Sequence, residues 1–514
     1  MAEKAIAERT AWVETERREG RARETGRPAR GVSRAGVRVS IVPQRGVPRE
    51  ERRANPLPGK GDRKVGAEVT QRSRAQSQAS AVPARAKQGA ATDGQDWAWV
   101  AASVWNERML AALVNGVTGG KWYSLIDKVY RKETLEAAWQ KVAANAGAAG
   151  VDGQSVAQFA AQAPRDLQEL EDALKAGRYQ PQAVRRVEIP KGAGKLRPLG
   201  IPAVKDRIVQ TALKLVIEPI FEWEFEDLSY GFRPGRGCKD ALRAVDGWLK
   251  AGYTHVVDAD LRSYFDTIPH EPLLARVGER VSDGRVLELI EAFLAQDIVQ
   301  GLERWTPVGG TPQGAVISPL LANIYLHRLD GQMRERGYQM VRYADDFVVL
   351  CRSAAHAQAA LAEVHAWVAA NGLSLHPDKT HVGDCREPGQ GFEFLGYRFE
   401  AGRRWVRGKS VKALRDRIRA KTRRTRGESL SRIIADLNPL LRGWFAYFQH
   451  AHPWTFSGMD GFLRRRLRAL LRKQEKRPGR GRSLADHLRW PKTFFADMGL
   501  FTMSEAHALA RQSR

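Results

Sequence analysis

Apolar side chains recur at two spacings along this chain, and the spacing separates predicted helices from predicted strands. Helical spacing predicts helices within residues 97–114, 122–144, 155–176, 203–218, 269–279, 284–294, 318–334 and 354–371. Short or alternating apolar runs predict strands over 184–189, 196–201, 255–260 and 392–399, and a strand–turn–strand unit over 341–350. Basic helical runs follow over 411–425, 429–450 and 460–476. We therefore predict an α+β fold in the middle of the chain and an all-α C-terminal region.

The charge of the chain is concentrated at its two ends. The 514 residues carry a formal net charge of +26. Residues 1–90 hold 21 basic and 10 acidic residues, residues 401–514 hold 28 and 8, and residues 91–400 hold 35 and 40. Basic ends indicate contact with polyanions, whereas the acidic middle indicates that carboxylates are gathered there for chemistry. Residues 1–92 are rich in Arg, Gly, Pro, Ser and Gln, so we expect a disordered basic extension.

Length and composition narrow the class of protein. A chain of this length predicts roughly two to four domains, and its 43% apolar content supports a sizeable core. A collagen-like chain, an acidic scaffold and a wholly disordered chain are therefore excluded. The three cysteines lie far apart, so we expect a reducing compartment and neither a disulfide framework nor a Cys-x-x-Cys zinc site. No apolar run reaches the ~20 residues that a membrane span needs.

Adjacent acids within an apolar hairpin are the strongest chemical signal. Asp345 and Asp346 lie between two β-forming runs, and a tight turn there would bring both side chains to one rim. Asp260 ends another apolar strand, and three such carboxylates would hold two Mg²⁺ ions for nucleotidyl transfer. Two neighbours of Asp260 receive structural roles, since Asp258 is expected to serve folding and Asp266 to cap or orient the following turn.

Five further positions are candidates for contact with a nucleotide. Phe265 would lie under the sugar and exclude a 2′-hydroxyl, although a core aromatic is the simpler interpretation. Gln313 follows two glycines that allow close backbone approach. Lys195 and Arg197 flank a glycine turn and are candidates to hold a triphosphate, with a solvated basic hairpin as the alternative. Lys379 is a candidate to donate a proton to pyrophosphate.

Eight sequence blocks, in order, resemble those of the reverse transcriptases encoded by group II introns, also called maturases. The resemblance covers about residues 100–514. The blocks are Gly150-Val-Asp-Gly153, Arg197-Pro-Leu-Gly-Ile-Pro202, Tyr230-Gly-Phe-Arg-Pro-Gly235, Asp260-Leu-Arg-Ser-Tyr-Phe-Asp266, Thr311-Pro-Gln-Gly-Ala-Val-Ile-Ser-Pro-Leu320, Tyr343-Ala-Asp-Asp346, Leu375-His-Pro-Asp-Lys-Thr380 and Phe394-Leu-Gly-Tyr397. The family implies a right-hand polymerase, with N-terminal helices and fingers over 93–255, a palm over 256–400 and a helical thumb and maturase domain over 401–514.

The resemblance assigns a role to each candidate. It implies that Asp260, Asp345 and Asp346 are the catalytic metal ligands and that the carbonyl of Leu261 adds another. It also implies that Phe265 is the sugar gate and Gln313 the glutamine of the nucleotide pocket. Lys195 and Arg197 resemble triphosphate contacts, and Lys379 resembles the basic residue of the later palm block.

The C-terminal region resembles the maturase domain of the same family. In the run 437–450, a helix would pack Leu437, Leu441, Trp444, Phe445 and Phe448 on one face. Basic residues around it are the candidates for contact with RNA phosphates: Arg415, Arg419, Arg423, Arg424, Arg464, Arg465 and Arg468. No cysteine follows Cys385, and the run 490–503 resembles the tail of relatives that lack an endonuclease, so we expect no endonuclease.

The expected function is RNA-directed DNA synthesis in the bacterial cytoplasm. The protein would bind its parent intron RNA, assist its splicing and copy it into DNA, with a DNA target, a primer and deoxynucleotides as partners. The competing enzyme hypothesis is a retron or diversity-generating reverse transcriptase, and the maturase-like helix argues against it. The competing non-enzyme hypothesis is an RNA chaperone whose polymerase is idle.

Overall fold

The computed structural model describes residues 97–192 and 195–512, and the predicted disordered extension, residues 1–92, lies outside them. The helices are α1 (Glu107–Asn115), α2 (Ile126–Val129), α3 (Lys132–Asn145), α4 (Val156–Lys175), α5 (Val204–Glu222), α6 (Cys238–Lys250), α7 (Tyr264–Thr267), α8 (His270–Gly278), α9 (Gly284–Leu294), α10 (Ser318–Glu335), α11 (Ala354–Ala370), α12 (Gly408–Lys421), α13 (Leu430–Phe448), α14 (Pro453–Gln474), α15 (Leu484–Arg489), α16 (Lys492–Asp497) and α17 (Met503–Gln512). A short 3₁₀ helix spans Thr118–Gly120.

The strands form three sheets. They are β1 (Val184–Gly192), β2 (Lys195–Ile201), β3 (His255–Asp260), β4 (Ile298–Gln300), β5 (Glu303–Trp305), β6 (Gln339–Tyr343), β7 (Asp346–Cys351), β8 (His381–Asp384), β9 (Phe392–Phe394), β10 (Tyr397–Glu400) and β11 (Arg403–Val406). Their orders are β2-β1-β4-β5, β6-β7-β3-β8 and β11-β10-β9. The second sheet is antiparallel throughout and corresponds to the predicted palm.

The two faces of the β6-β7-β3-β8 sheet belong to different hydrophobic cores. Val257 and Val349 lie in a core shared with helices of the N-terminal half. Val256 and Val348 lie in a second core, which contains α12 to α14. Because side chains alternate between the faces of a strand, this short buried sheet joins the two halves of the described chain.

Two predicted helices of the N-terminal part differ from the structure because side chains accept hydrogen bonds from backbone amides. One helix begins later than predicted, and the other is divided in two. The pattern over 97–114 forms a helix only from Glu107, because the Asn106 side chain accepts a hydrogen bond from the Met109 amide at 2.9 Å and starts the helix there. The run 122–144 is divided between α2 and α3. The Asp283 carboxylate accepts hydrogen bonds from the first amides of that region, including Ile126 at 2.8 Å, and the chain bends again at Arg131 before α3.

Two elements of the C-terminal region begin at other residues than the sequence predicted. It is not helical from residue 401, since β11 pairs with β10 with Val406 opposite Tyr397, and the helices begin at Gly408. The predicted helix over 460–476 begins earlier, at Pro453, because proline is favoured in the first turn of a helix. The predicted packed face of α13 is confirmed, since Leu437 and Leu441 are fully buried. None of the helices described is both long and apolar enough to cross a bilayer.

A buried ion pair holds the turn between β6 and β7. Arg342, which is fully buried, donates from Nε to Oδ1 of Asp330 at 2.7 Å and from Nη2 to Oδ2. Its Nη1 donates to Oδ1 of Asn323 and to the carbonyl of Ala344, both at 2.9 Å. Asp330 and Asn323 both lie on α10, so the helix and the turn are joined by one polar network.

The chain segment that includes Gly231 presses against the same turn. The Asn323 amide donates to the carbonyl of Gly231 at 2.8 Å, and the Tyr230 amide donates to the carbonyl of Arg342 at 2.9 Å. A Cβ atom at position 231 would lie 2.2 Å from the backbone nitrogen of Ala344. Since a backbone atom cannot move aside as a flexible side chain can, only glycine fits here.

We predict that Asp330→Ala destabilises the protein by about 3–5 kcal/mol, because it leaves the Arg342 guanidinium buried without its carboxylate. Chemical unfolding measures the loss. The matched control is Arg334→Ala, which removes an exposed ion pair with Glu226 from the same helix and is expected to cost no more than ~1 kcal/mol. Equal losses in the two variants would contradict a structural role for the buried pair.

We also predict that Gly231→Ala displaces the Tyr343–Asp346 turn and lowers the unfolding midpoint. The matched control is Gly247→Ala in α6, where an added Cβ meets no atom within 4 Å. That control is expected to stabilise the protein by up to ~1 kcal/mol through helix propensity. Tolerance of alanine at position 231 would show that the two backbones can separate.

Candidate active site

Three carboxylates meet at one rim of the central sheet. Asp260 ends β3 and lies directly opposite Asp346, which begins β7. Asp345 lies in the turn, where the preceding residue, Ala344, has a left-handed backbone with φ of 61°. The turn therefore changes the direction of the chain between two adjacent acids, as the sequence predicted, and allows both to lie beside Asp260.

Burial and mutual repulsion disfavour the charged forms of these acids. Burial, with the neighbouring carboxylates of Asp258, Asp345 and Asp260, raises the pKa of Asp346 to about 7. Burial also raises the pKa of Asp345, with a contribution from Asp260 in the same direction. Like charges placed across a strand pair are destabilising unless a cation compensates them.

Asp258 belongs to this cluster and not only to the folding core. It lies two residues before Asp260, so both point from the same face of β3. Burial, with a contribution from Asp260, raises the pKa of Asp258 to about 7. The Glu393 amide donates to the Asp258 carboxylate at 3.4 Å. The sequence interpretation placed Asp258 on the same strand face and assigned it to folding, and it did not predict this effect of Asp260 on the Asp258 carboxyl.

Backbone and side chain contacts surround Asp260. The His376 amide donates to the Asp260 carbonyl at 2.7 Å, and the Arg262 amide donates to the carbonyl of Ser374 at 2.8 Å. These two bonds flank the bridge between Leu261 and Leu375, so the Leu261 carbonyl is not used in it. The side chain of Lys379 forms an ion pair with Oδ2 of Asp260, which shows that this carboxylate attracts a cation.

The donor set suits a hard divalent cation, because carboxylate and carbonyl oxygens are the ligands that Mg²⁺ binds in proteins. Asp260, Asp345 and Asp346 supply the carboxylates, and the Leu261 carbonyl lies beside them in sequence. Over residues 97–192 and 195–512, no three acidic, histidine or cysteine side chains are grouped closely enough to form a metal centre by themselves. The fit is therefore one of ligand chemistry.

A chain of hydrogen bonds joins the β1–β2 hairpin to the segment after β3. Arg197 donates from Nε to the side chain oxygen of Gln313 at 3.0 Å, and the Gln313 amide lies 3.3 Å from both oxygens of Asp266. Asp266 therefore binds Gln313 and lies inside α7, which has no side-chain cap. That Asp266 caps or orients the following turn stays a prediction. The pKa of Asp345 is raised mainly by burial, and the charge of Arg197 opposes that rise. This series of hydrogen bonds therefore ends near the clustered acids. The side chain of Lys195 lies outside the described residues.

A cavity of about 310 Å³ adjoins this chain of hydrogen bonds. Phe265, Asp266 and Gln313 line it together with Trp305 and the glycines of the 309–310 segment. Phe265 is half-buried and packs edge-on against Tyr264, with ring centroids 5.6 Å apart. Its position on the cavity wall is consistent with contact with a nucleotide sugar and is not that of a fully enclosed core residue.

Phe232 is an exposed aromatic residue that the sequence analysis did not single out. Its side chain is 46% exposed, its φ is 61°, and its ring lies edge-on to Phe265 at 6.3 Å. A bulky residue with positive φ is strained, and such strain persists where surrounding structure imposes it. The Gly231 contact with the turn supplies that constraint, and no spacing in the sequence reveals it.

The predicted RNA-binding arginines gather on two packed helices. Arg415 and Arg419 of α12 and Arg465 of α14 surround the ring of Phe462, with guanidinium carbons 5.5–5.7 Å from its centroid. Arg423 and Arg424 are exposed in the segment after α12. Arg464 and Arg468 lie with Arg465 on the wall of a second cavity, described below.

Two family models match the chain in succession. The model described as reverse transcriptase (RNA-dependent DNA polymerase) matches residues 189–399, which include the four clustered acids. The model described as group II intron, maturase-specific domain matches residues 411–489, which include most of the basic helices.

Several known proteins are similar to this chain. Protein YkfC of Escherichia coli (strain K12) is 39% identical, over 48% of this chain and 75% of that protein. The group II intron-encoded protein LtrA of Lactococcus lactis subsp. cremoris is 36% identical, over 39% of this chain and only 33% of LtrA. A solved chain of a Cas6-RT-Cas1–Cas2 complex is 26% identical over 48% of this chain and 42% of that chain, with a TM-score of 0.33. From its two domains and its relatives, the chain belongs to the group II intron reverse transcriptases, which have a right-hand polymerase fold followed by a helical maturase domain.

Proposed function

We propose that this protein copies RNA into DNA and acts on its parent group II intron, whose RNA it binds and helps to splice. The observation that carries the proposal is the rim of the palm sheet. There Asp260 and Asp346 lie opposite each other, with Asp345 in the adjoining turn. Arg197 links Asp345 to the cavity, since it acts on the Asp345 carboxylate and donates a hydrogen bond to Gln313 on the cavity wall. Carboxylates linked in this way to a pocket of nucleotide size support template-directed nucleotidyl transfer.

Asp260, Asp345, Asp346 and the Leu261 carbonyl would hold Mg²⁺, and two ions are expected. When bound, Mg²⁺ activates the primer 3′-hydroxyl and stabilises the pyrophosphate that leaves. It also supplies the positive charge that the buried acids lack, since burial and repulsion raise the pKa of both Asp345 and Asp346.

The residues around the cavity would bind and orient the incoming deoxynucleotide. Arg197 and Lys195 would contact its triphosphate, with Gln313 held in place by Arg197 and Asp266. Phe265 would exclude a 2′-hydroxyl from the sugar site. Lys379 would leave its ion pair with Asp260 and donate a proton to the departing pyrophosphate.

The basic C-terminal helices are the proposed contact with intron RNA. Their arginines would bind phosphates and position the RNA without reading its bases. A DNA target and its primer complete the set of partners, and the bacterial cytoplasm is the compartment where all of them meet. We also propose that fingers, palm and thumb–maturase regions correspond to residues 93–255, 256–400 and 401–514.

The maturase-specific match over 411–489 favours the intron function over a retron or diversity-generating reverse transcriptase. The clustered acids favour an active polymerase over an RNA chaperone with an idle one, because buried like charges are costly and serve no purpose in RNA binding.

We predict that Asp345→Asn lowers primer extension on an RNA template by more than ~100-fold while RNA binding changes little, because a metal ligand is lost and the shape is kept. Primer extension and filter binding on the same preparation measure the two effects. Asp172→Asn, an exposed acid on α4, is the control and should retain full synthesis. Normal synthesis by Asp345→Asn would overturn the assignment of the active site.

We predict that Phe265→Ala raises the use of ribonucleotides relative to deoxynucleotides by at least ~10-fold, because removing the ring opens space for a 2′-hydroxyl. The ratio of kcat/KM for the two nucleotide classes measures the change within one variant. A core role for Phe265 would lower both values equally and leave the ratio unchanged, and that result would remove Phe265 from the nucleotide pocket.

A further inference from the structure

A second cavity, of about 550 Å³, lies in the C-terminal helical region, away from the carboxylate cluster. It is bounded by α14, by the segment around Gly481 and by the start of α16. Six of the side chains on its wall carry or can carry positive charge, namely Arg464, Arg465, Arg468, Arg482, His487 and Lys492. The remaining lining residues are glycines and a proline, so no carboxylate faces the cavity.

The fold brings these cations together from distant positions in the chain. Arg464 and Arg468 are four residues apart on α14, so they project from the same side of the helix. Gly481 has φ of 69°, and a Cβ atom there would lie 2.7 Å from the backbone nitrogen of Ala469. The segment before α15 therefore packs tightly against α14. Because Arg482 follows Gly481 directly, this contact positions Arg482 at the edge of the cavity.

Arginines beside the cavity have acidic partners, whereas several of the cations that face it have none. Arg472 is paired with Asp486 at 2.5 Å, and Arg489 with Glu475 at 2.9 Å. Within residues 97–192 and 195–512, by contrast, Arg464, Arg482 and Lys492 form neither an ion pair nor a hydrogen bond. Asp486 and Glu475 therefore pair with arginines that do not line the cavity.

Arg468 is the cation on this wall whose charge is costly to bury, because its side chain is only 4% exposed. Its Nε donates to the carbonyl of Trp490 at 2.9 Å, and its Nη1 lies 3.4 Å from a nitrogen of His487. No carboxylate lies within ion-pair distance of it in the described chain. A buried guanidinium without a counter-charge is costly, and an anion in the cavity would supply that charge.

Arg465 connects the cavity with the arginines of α12. Burial lowers the pKa of Arg465, and the like charges of Arg482 and Arg415 lower it further. Its guanidinium also lies over the ring of Phe462, which Arg415 and Arg419 share. Arg465 therefore belongs both to the cavity wall and to the group of arginines around Phe462.

We propose that this cavity is a discrete binding site for a backbone phosphate of nucleic acid, and that RNA supplies it. Guanidinium groups match phosphate oxygens through paired hydrogen bonds, and several here converge on one space. A bent or single-stranded RNA segment would insert one phosphate while neighbouring phosphates follow the α12 arginines. The proposal rests on the proposed function, because Arg464, Arg465, Arg468 and Arg482 fall within the maturase-specific match.

The test compares two double variants that remove the same charge. Arg464→Gln with Arg482→Gln removes two cations from the cavity wall, whereas Arg178→Gln with Arg511→Gln removes two exposed arginines, one that follows α4 and one on α17. A labelled group II intron transcript is titrated at several salt concentrations. We expect the cavity variant to bind at least ~10-fold more weakly than the control and to lower the salt slope by about one unit per arginine.

Matched unfolding midpoints establish that both double variants are folded. Equal affinities for the intron transcript would overturn the cavity site while leaving RNA binding by the protein intact. An equal loss with single-stranded DNA of the same sequence would overturn the assignment to RNA. Failure of the unmodified protein to bind the transcript would contradict the proposed function instead.

Inorganic phosphate tests the cavity without any RNA. A ligand that binds the folded state raises the unfolding temperature. We expect phosphate to stabilise the unmodified protein and the Arg178/Arg511 control, and to stabilise the Arg464/Arg482 variant less. Identical stabilisation of all three proteins would show that the cavity is not a built anion site.

Discussion

The ion pair between Arg342 and Asp330 is the interaction on which the active-site geometry depends. It joins α10 to the hairpin that carries Asp345 and Asp346, two of the three proposed catalytic acids, and the same guanidinium binds the carbonyl of Ala344 inside the turn. A buried pair contributes little net stability compared with apolar packing, but it is highly directional. Its benefit here is therefore positional. The left-handed Ala344, the close approach of Gly231 and the separation of Asp345 from Asp346 all require the turn to remain where this pair holds it.

Unbalanced charge is distributed in two complementary places. The palm gathers carboxylates whose pKa values are raised by burial and by one another, and the wall of the cavity beside α14 gathers arginines that form no ion pair within the described residues. Each cluster is unfavourable alone, because like charges repel strongly when they are partly removed from water. The proposed cation would compensate the first cluster and the proposed phosphate the second. The segregation of charge seen along the sequence thus corresponds to two oppositely charged clusters in the folded protein.

The palm sheet also joins the clustered acids to the basic C-terminal helices through its packing. One of its faces packs into the core of the N-terminal half, and the other packs into the core that contains the C-terminal helices. Two hydrogen bonds strengthen the second contact, since Tyr397 donates to the carbonyl of Tyr447 at 2.7 Å and Tyr447 donates to the carbonyl of Leu395 at 2.8 Å. The basic helices therefore pack directly against the second face of the β6-β7-β3-β8 sheet.

The sequence by itself determined the features that depend on local pattern. The strand His255–Asp260 and the helix Gly284–Leu294 have the predicted bounds, and the family blocks identified Asp260, Asp345 and Asp346. Hydrophobic periodicity and adjacent motifs report such features because neighbouring residues alone create them. Only the tertiary structure decided the contacts between distant segments. The short strands β4 and β5, the place of Asp258 in the cluster, the exposed ring of Phe232 and the unpaired charge of Arg468 all arise from partners brought together by packing. A linear pattern carries no record of those distances, since they are set by how the two cores close around the sheet.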